Sequence, residues 1–310
     1  MNKLIEKEDV EPAVGTLWAS IQAATGHAIE SGALCTIPTY SEIIDEGYMQ
    51  FIVRRLLGGD ENPELKSVQC KKGGGNGRPV NPFLPHEEDL FVADLSDTHL
   101  CILNKYNVQE DHLLIITRQF EEQEALLTLP DFTAMWRCLA EIDGLAFYNG
   151  GQAAGASQPH KHLQVVPLPL LPDAPPLTID RLLQEENGRF GPGALEALPF
   201  IHSIAPASDL AALPPAEAAT LTYDRYLNML ERVGLPVAEG NADWRQPGPY
   251  NLLVTRRWIL LVPRSRHAHL SVSINALGYA GSLFVRNLEQ YGTLRKHGPL
   301  AILTAVGMPL

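Results

Sequence analysis

The chain has 310 residues, of which 45% are hydrophobic and 19% charged, which suits a globular protein with a sizeable core and excludes a largely disordered one. A formal net charge of −12, with no sustained Lys/Arg stripe, argues against a nucleic-acid partner and against any general electrostatic pull on anions. The opening MNKLIEKEDVEPAVG lacks a signal-peptide apolar core, and no apolar run reaches the ~20 residues of a membrane span. Cys35, Cys70, Cys101 and Cys138 form no CxxC pair, so the expectation is a cytoplasmic protein with reduced thiols and no membrane partner.

Apolar spacing predicts a helix over Leu17–Glu30, and alternation predicts a strand over Tyr48–Leu56. Lys71–Pro82 is glycine-rich and reads as a surface loop. It lacks the P-loop pattern, although Lys71, Lys72 and Arg78 could touch a phosphate. Leu100–Tyr106 and His112–Thr117 read as the strands of an antiparallel hairpin that turns at Asn107–Asp111. From Asp131 the period becomes helical, with Phe132, Met135, Trp136, Leu139 and Ala146 on one face, Pro130 near the start and Gly144 near the end. A glycine-rich loop, Asn149–Ser157, leads into a strand, His160–Val166. Pro167–Pro176 cannot pair inside a central sheet and reads as a connector. Beyond it come a helix at Pro214–Val233, two strands within Asn251–Val262 and a helix at Leu283–His297. Hairpin strands with separate helices favour an α+β class over a doubly wound sheet.

The segment carrying chemistry is Asn149–Gln164, NGGQAAGASQPHKHLQ. In a strand His160, His162 and Gln164 share one face, and Lys161, Leu163 and Val165 the other. Gly150, Gly151 and Gly155 just upstream let backbone approach a ligand and turn N–H groups toward it, while Ser157 and Gln158 add side-chain donors. A neutral imidazole is nucleophilic at physiological pH, and its attack on an α-phosphorus splits one hard displacement into two easier ones. His162, in the middle of the row, is the natural nucleophile, His160 its support, and Gln164 a binder of phosphoryl oxygen that cannot act as an acid. The arrangement lacks a third ligand at a telling spacing for zinc, so no metal site is expected. His267 and His269, without a glycine cradle, read as edge polarity, and His112 as a residue bracing a loop.

LLIIT at 113–117, the helix after it and then NGGxxxGASQPHKHLQ resemble the histidine triad superfamily, and Gln164 in the third position resembles its HxHxQ transferase branch. With NPFLP at 81–85, LNKYNV at 103–108, LAFYNGG at 145–151 and SINALGYAGSLFV at 273–285, the chain most resembles the ATP adenylyltransferase family, the diadenosine tetraphosphate phosphorylases. The resemblance implies a histidine-triad-like antiparallel sheet flanked by helices in residues 1–170. A proline-rich connector at 171–190 and a C-terminal α+β extension at 191–310, closing over the same pocket, would follow. It implies phosphorolysis of the dinucleotide to ATP and ADP through an adenylyl-histidine at His162, with Mg²⁺ accompanying the polyphosphate rather than a tightly bound cofactor. It further implies nucleotide and phosphate contacts from Lys66, Asn104, Lys105, Asn149, Gly155, Ala156, Ser157, Gln158, Gln164, Asn275, Ala276, Leu277, Ser282 and Arg286. Lys71 or Lys72 could stand in for Lys66. Arg286 occupies a place where the family pattern leads one to expect a lysine. Lys66, Lys105 and Arg286 would answer the charge problem by surrounding the phosphates. Adenylyl sulfate or a hexose-1-phosphate as substrate, or a silent dinucleotide sensor, are the alternatives; oligomeric state is left open.

Overall fold

Strands that are apolar on both faces need cover on both sides, and that requirement organises the chain. The computed structural model describes residues 15–57, 81–172, 177–186, 188–237 and 245–310. Lys66, Cys70, Lys71, Lys72 and Arg78 lie outside the described residues. Helix α1 (Leu17–Glu30) forms as expected and buries Leu17, Ile21 and Ala28. The strand expected at Tyr48–Leu56 is half of a hairpin, β1 (Thr39–Glu46) and β2 (Met49–Leu56), turning at Gly47 with φ 60°. Sequence reading missed β1, because its apolar residues are scattered on an edge.

The central sheet has nine strands among the described residues, antiparallel throughout. Along the chain they are β3 (Phe91–Asp94), β4 (His99–Leu103), β5 (Leu113–Thr117), β6 (Gly144–Gly150), β7 (His162–Pro167), β8 (Gly191–Pro192), β9 (Ser203–Pro206), β10 (Tyr250–Val254) and β11 (Trp258–Pro263). Their spatial order is β3-β4-β5-β7-β6-β10-β11-β9-β8, so strands from beyond the proline-rich segment extend the sheet begun before it. Alternation divides the side chains between two cores: Ala146 and Tyr148 of β6 enter one, Leu145 and Phe147 the other. Helices α2 (Leu129–Glu141) and α4 (Pro215–Arg232) pack together over the first core. Over the second lie α3 (Thr178–Glu185), α5 (Ala276–Tyr279), β14 (Ser282–Val285) paired parallel to β2, α6 (Leu288–His297) and α7 (Pro299–Val306). A short pair, β12 (Ala268–His269) and β13 (Val272–Ser273), leads into α5. The fold is therefore α+β, built on a large antiparallel sheet with helices on both sides. Among the described residues no helix is long and apolar enough to cross a membrane.

Three expectations on local structure are corrected. The helix expected to reach Ala146 ends at Glu141, and Gly144 opens β6 instead of capping α2. A Cβ at Gly144 would stand 3.0 Å from the Val166 carbonyl oxygen, so the glycine serves strand contact. Pro167, expected outside any central strand, closes β7 opposite Gly144; at a strand end its missing N–H costs little. The single helix expected at Leu283–His297 is a strand followed by a helix, because Leu283 and Val285 are buried on a paired strand and Asn287 caps α6 through Gln290 N–H.

Lys161, the residue just before β7 and on the side of Leu163 and Val165, meets a buried charge cluster. Its Nζ lies 2.7 Å from Asp131 and 3.0 Å from Glu121, and His99 Nε2 lies 3.0 Å from the other Asp131 oxygen. Asp131 also caps α2, accepting from Thr128 N–H at 2.7 Å. Burial raises its carboxyl pKa, but His99 and Lys161 outweigh burial and hold it at about 2. A carboxyl held below its unfolded value of ~3.9 stabilises the fold above that pH. That contribution is lost as pH falls toward 2. Removing Asp131 would leave the buried Lys161 ammonium with only the partly exposed Glu121 as counter-ion, so Asp131→Ala should cost about 3 kcal/mol in urea unfolding at neutral pH. The gap between wild type and variant should shrink in acid; a gap independent of pH would exclude the ionised pair.

Candidate active site

His162 is the first residue of β7, opposite Ile116 of β5. On its other side the β6–β7 ladder ends at the pair Phe147–Gln164. Beyond it the Gln123 side chain stands between the strands. Its Oε1 accepts from His162 N–H at 2.9 Å, and its Nε2 donates to the Asn149 carbonyl at 2.9 Å and the His162 carbonyl at 3.3 Å. The sheet is thus wedged open beside His162, and one amide meets the His162 N–H, the His162 carbonyl and the Asn149 carbonyl.

The two histidines carry opposite tautomers. His160 Nε2 faces the Thr117 carbonyl at 3.0 Å and the Thr117 hydroxyl at 2.8 Å, which itself donates to the Gln119 carbonyl. Both are acceptors, so Nε2 carries the hydrogen and Nδ1 accepts from Asn81 Nδ2 at 3.0 Å. Asn81 is oriented in turn by Phe83 N–H donating to its Oδ1 at 3.0 Å. His162 Nδ1 lies 2.8 Å from the His160 carbonyl, which can only accept. The hydrogen therefore sits on Nδ1, and Nε2 keeps a lone pair with no partner among the described residues. Burial pushes the His162 imidazole down to about 4, against the bond to His160. Phe83 packs on both rings, at 5.5 and 5.4 Å between centroids.

Gln164 is oriented by a relay that sequence reading missed. Tyr106 N–H donates to Asn104 Oδ1 at 3.3 Å, Asn104 Nδ2 to His112 Nδ1 at 3.2 Å, and His112 Nε2–H to Gln164 Oε1 at 2.9 Å. A backbone donor at one end fixes the direction of every bond, so Gln164 presents its NH₂ and not its carbonyl oxygen. His112, expected to brace a loop, is thus part of the site. Burial, with the neighbouring His162, lowers it to about 4. The available signal was parity: His112 lies two residues before Leu114, which pairs with Gln164, and so shares its face.

The glycine loop differs from the expected amide cradle. Its own carbonyls accept the N–H groups of Gly151, Ala154, Gly155 and Ala156. Ser157 and Gln158 make no described bond and remain as donors for a ligand, and Gln152, which lines the adjoining cavities, is likewise without a described acceptor. Gly155 has φ 95°, and a Cβ there would meet the Ile274 carbonyl at 2.6 Å, so close approach of the C-terminal wall demands glycine. Asn149 is buried and its Oδ1 is committed, accepting from Asn251 Nδ2 at 2.8 Å and Ala276 N–H at 2.9 Å. Leu277 N–H is likewise taken, by Asn275 Oδ1 at 3.1 Å. Against the loop lies a cavity of about 300 Å³ that brings together Gly155, Ala156, Ser157, Asn275, Ser282 and Arg286 with His267, which sequence reading had left on an edge. None of its described lining is acidic. A neighbouring cavity of about 340 Å³ shares Gln152, Ala156 and Ser157 and adds Gln158, Glu122 and Glu124. Lys105, expected at the phosphates, is held by Glu87 at 2.7 Å, and Lys66 lies outside the described residues.

Residues 7–185 match the profile of the Ap4A phosphorylase N-terminal domain, and residues 196–309 that of the ATP adenylyltransferase C-terminal domain. The chain is 30% identical over 259 residues to diadenosine 5',5'''-P1,P4-tetraphosphate phosphorylase 2 of Saccharomyces cerevisiae, covering 75% of this chain and 77% of that protein. Its fold is similar to the crystal structure of yeast Ap4A phosphorylase Apa2, with TM-score 0.73 at 24% identity over 94% of this chain and 97% of the other. The structure of Apa2 in complex with Ap4A gives TM-score 0.73 at 23% identity, over 96% and 99%.

The tautomers lead to a direct measurement. Long-range ¹H–¹⁵N spectra should show His112 as the Nε2–H and His162 as the Nδ1–H neutral form, unchanged as pH falls from about 8 to 5. Titration of either ring near its ordinary value of ~6.5 would contradict the buried relay.

Proposed function

The chain belongs to the Ap4A phosphorylase family, and we propose that it phosphorolyses diadenosine tetraphosphate to ATP and ADP. In the first step His162 Nε2 attacks an α-phosphorus, an N–P bond forms, the P–O bond to the bridging oxygen breaks and ATP departs. In the second, an oxygen of inorganic phosphate attacks the same phosphorus, the N–P bond breaks and ADP leaves. The observation that carries this reading is a buried imidazole with Nδ1–H committed to the His160 carbonyl and Nε2 unprotonated, beside a Gln164 amide oriented to donate. The carbonyl of His160 stabilises the positive charge that His162 acquires on attack, and Gln164 NH₂ stabilises charge on the phosphoryl oxygens. Gln164 cannot return a proton, which suits transfer to phosphate better than acid-assisted release of product.

The 30% identical yeast relative, a diadenosine tetraphosphate phosphorylase by name, supports the substrate. Ser157, Gln158, Asn275, Ser282 and Arg286 are our candidates for phosphate contact, and Lys66 is retained as one from the family pattern. Gly155, Ala156, Ala276 and Leu277 shape the wall, and Asn149 and Asn104 act through neighbours. We read Lys105 as able to contribute only by leaving Glu87. Residues 1–170 and 191–310 are read as two halves of one pocket around the 171–190 connector. Mg²⁺ would arrive on the polyphosphate, bound through its oxygens. A cytoplasmic setting is part of this reading, supported by Cys101 and Cys138, which are neighbours in the core yet free thiols.

Incubation with α-labelled ATP in the absence of phosphate should leave AMP on the protein, acid-labile and alkali-stable, and added phosphate should discharge it as ADP. His162→Ala should abolish the adduct; labelling that survives this change would remove the mechanism. With His162 neutral down to about 4, the rate of adduct formation should stay flat between about pH 8 and 5. His112→Phe keeps a ring in place but frees Gln164, and should slow adduct formation about tenfold to hundredfold. An unchanged rate in that variant would mean that Gln164 needs no relay.

A further inference from the structure

Arg264 is almost fully buried, with 2% of its surface exposed, and makes no ion pair among the described residues. All five guanidinium N–H groups are used, and every acceptor is neutral. Nε donates to the Val306 carbonyl at 3.1 Å, Nη1 to the Ala154 carbonyl at 3.2 Å and to Asn251 Oδ1, and Nη2 to the carbonyls of Arg266 at 2.8 Å and Ile274 at 3.1 Å. The Tyr279 ring lies 5.5 Å away and adds only a weak attraction. A buried charge costs a great deal unless something compensates it. Here hydrogen bonding is complete, but the charge is not neutralised.

The acceptors locate the compensating group. Ala154 belongs to the glycine loop, and Arg266 and Ile274 to the segment facing it across the cavity of about 300 Å³. In a trans peptide the N–H points opposite to the C=O. Holding the Arg266 and Ile274 carbonyls on Arg264 therefore turns the N–H groups of His267 and Asn275 away from it. Both residues line the cavity, and neither N–H donates to a described acceptor. The pairing of this segment shows the same diversion: Ile274 N–H donates to the His267 carbonyl at 2.8 Å, but the return partner, the Ile274 carbonyl, is taken by Arg264. A cation on a peptide oxygen also polarises that peptide and strengthens its N–H as a donor to anions.

We infer that Arg264 is a positioning residue for the phosphate chain: a charge behind the wall that aims the His267 and Asn275 N–H groups at a phosphate lying against Arg286. The inference rests on the reading of the site as a polyphosphate site. The anion needs no contact with Arg264 itself, because the two peptide units carry its influence through the wall. In a protein of net charge −12 this puts positive potential at one place without a surface patch that would attract anions elsewhere.

Titration calorimetry on the full chain separates charge from scaffolding by comparing ATP with adenosine, which shares the nucleoside but has no phosphate. Arg264→Met should weaken ATP about tenfold to hundredfold, the range for losing charge-assisted hydrogen bonds, while adenosine changes less than about twofold. Arg264→Lys, which keeps the charge, should hold ATP within about threefold, and it decides the matter if the methionine variant does not fold. ATP and adenosine falling together in the lysine variant would assign Arg264 to scaffolding and overturn the inference. ATP binding as tight in folded Arg264→Met as in wild type would also overturn it. A wild-type chain binding neither ligand would remove the polyphosphate reading itself, a failure distinguishable from both.

Discussion

The proposed chemistry depends on one hydrogen bond, from His162 Nδ1 to the carbonyl two residues before it, at 2.8 Å. An imidazole has two nitrogens, and a nucleophile must leave one unprotonated and outward-facing. A carbonyl can only accept, so it selects the tautomer without a titratable partner. That choice requires the His160 carbonyl to stay fixed, and the arrangement around His160 accomplishes this. Its ring is held on both nitrogens by Thr117 and Asn81, and its neighbour Lys161 is anchored through the sheet to Asp131 of α2. Gln123 fixes the backbone of His162 from the side where the strands part. The helix cap, the buried ion cluster and the wedge amide all constrain one strand end.

The second constraint is charge. A chain of net charge −12 that handles polyphosphate must create positive potential locally. Of the cations expected to do this, Lys105 is paired with Glu87, whereas Arg286 lines the cavity whose described lining has no acidic residue. The neighbouring cavity, with Glu122 and Glu124, has the opposite character. The two share Gln152, Ala156 and Ser157, so a ligand crossing that boundary passes from an acidic surrounding to one suited to phosphates. Neutral imidazoles fit the same economy: His112 and His162, both held near 4, add no charge that would compete for the phosphates.

Period-two alternation was enough to set His162 and Gln164 on one face, because that relation is local to one strand; the strand expected from His160 begins only at His162, with His160 and Lys161 extending its alternation just before it. The hairpin of β4 and β5 was equally legible, since apolar runs flank a polar turn. What the sequence concealed was everything requiring partners far along the chain. Gln123 reads as one polar residue among glutamates, yet it is the wedge beside a strand that begins 39 residues later. Asn104 was legible as a site residue through its motif, but not as the second link of a relay ending at Gln164. Gly144 misled because a glycine after a helical stretch commonly caps it, whereas here it makes room for a neighbouring strand. Arg264 stands in the sequence as one basic residue near His267 and His269, and its burial could not be read from its neighbours.

Continuity of the central sheet explains why both halves of the chain are needed for one pocket. β10 pairs with β6 in a register that sets Asn251 beside Asn149, and the two side chains join at 2.8 Å. Asn149 then takes Ala276 N–H, and Asn251 takes Arg264, so the start of the glycine loop and the start of the C-terminal wall hang from adjacent strands. Loop and wall come so close that Gly155 can carry no Cβ. Such an approach could not survive independent motion of two bodies, because a shift of an ångström would either open a gap or drive backbone into backbone. Cavity walls drawn from both halves can stay aligned with a histidine on the central strand only if the halves share that strand's sheet. The long separation in sequence between the HxHxQ segment and the Asn275–Arg286 segment is thus spanned by two strand pairings, and those pairings, more than the connector between the halves, define the pocket.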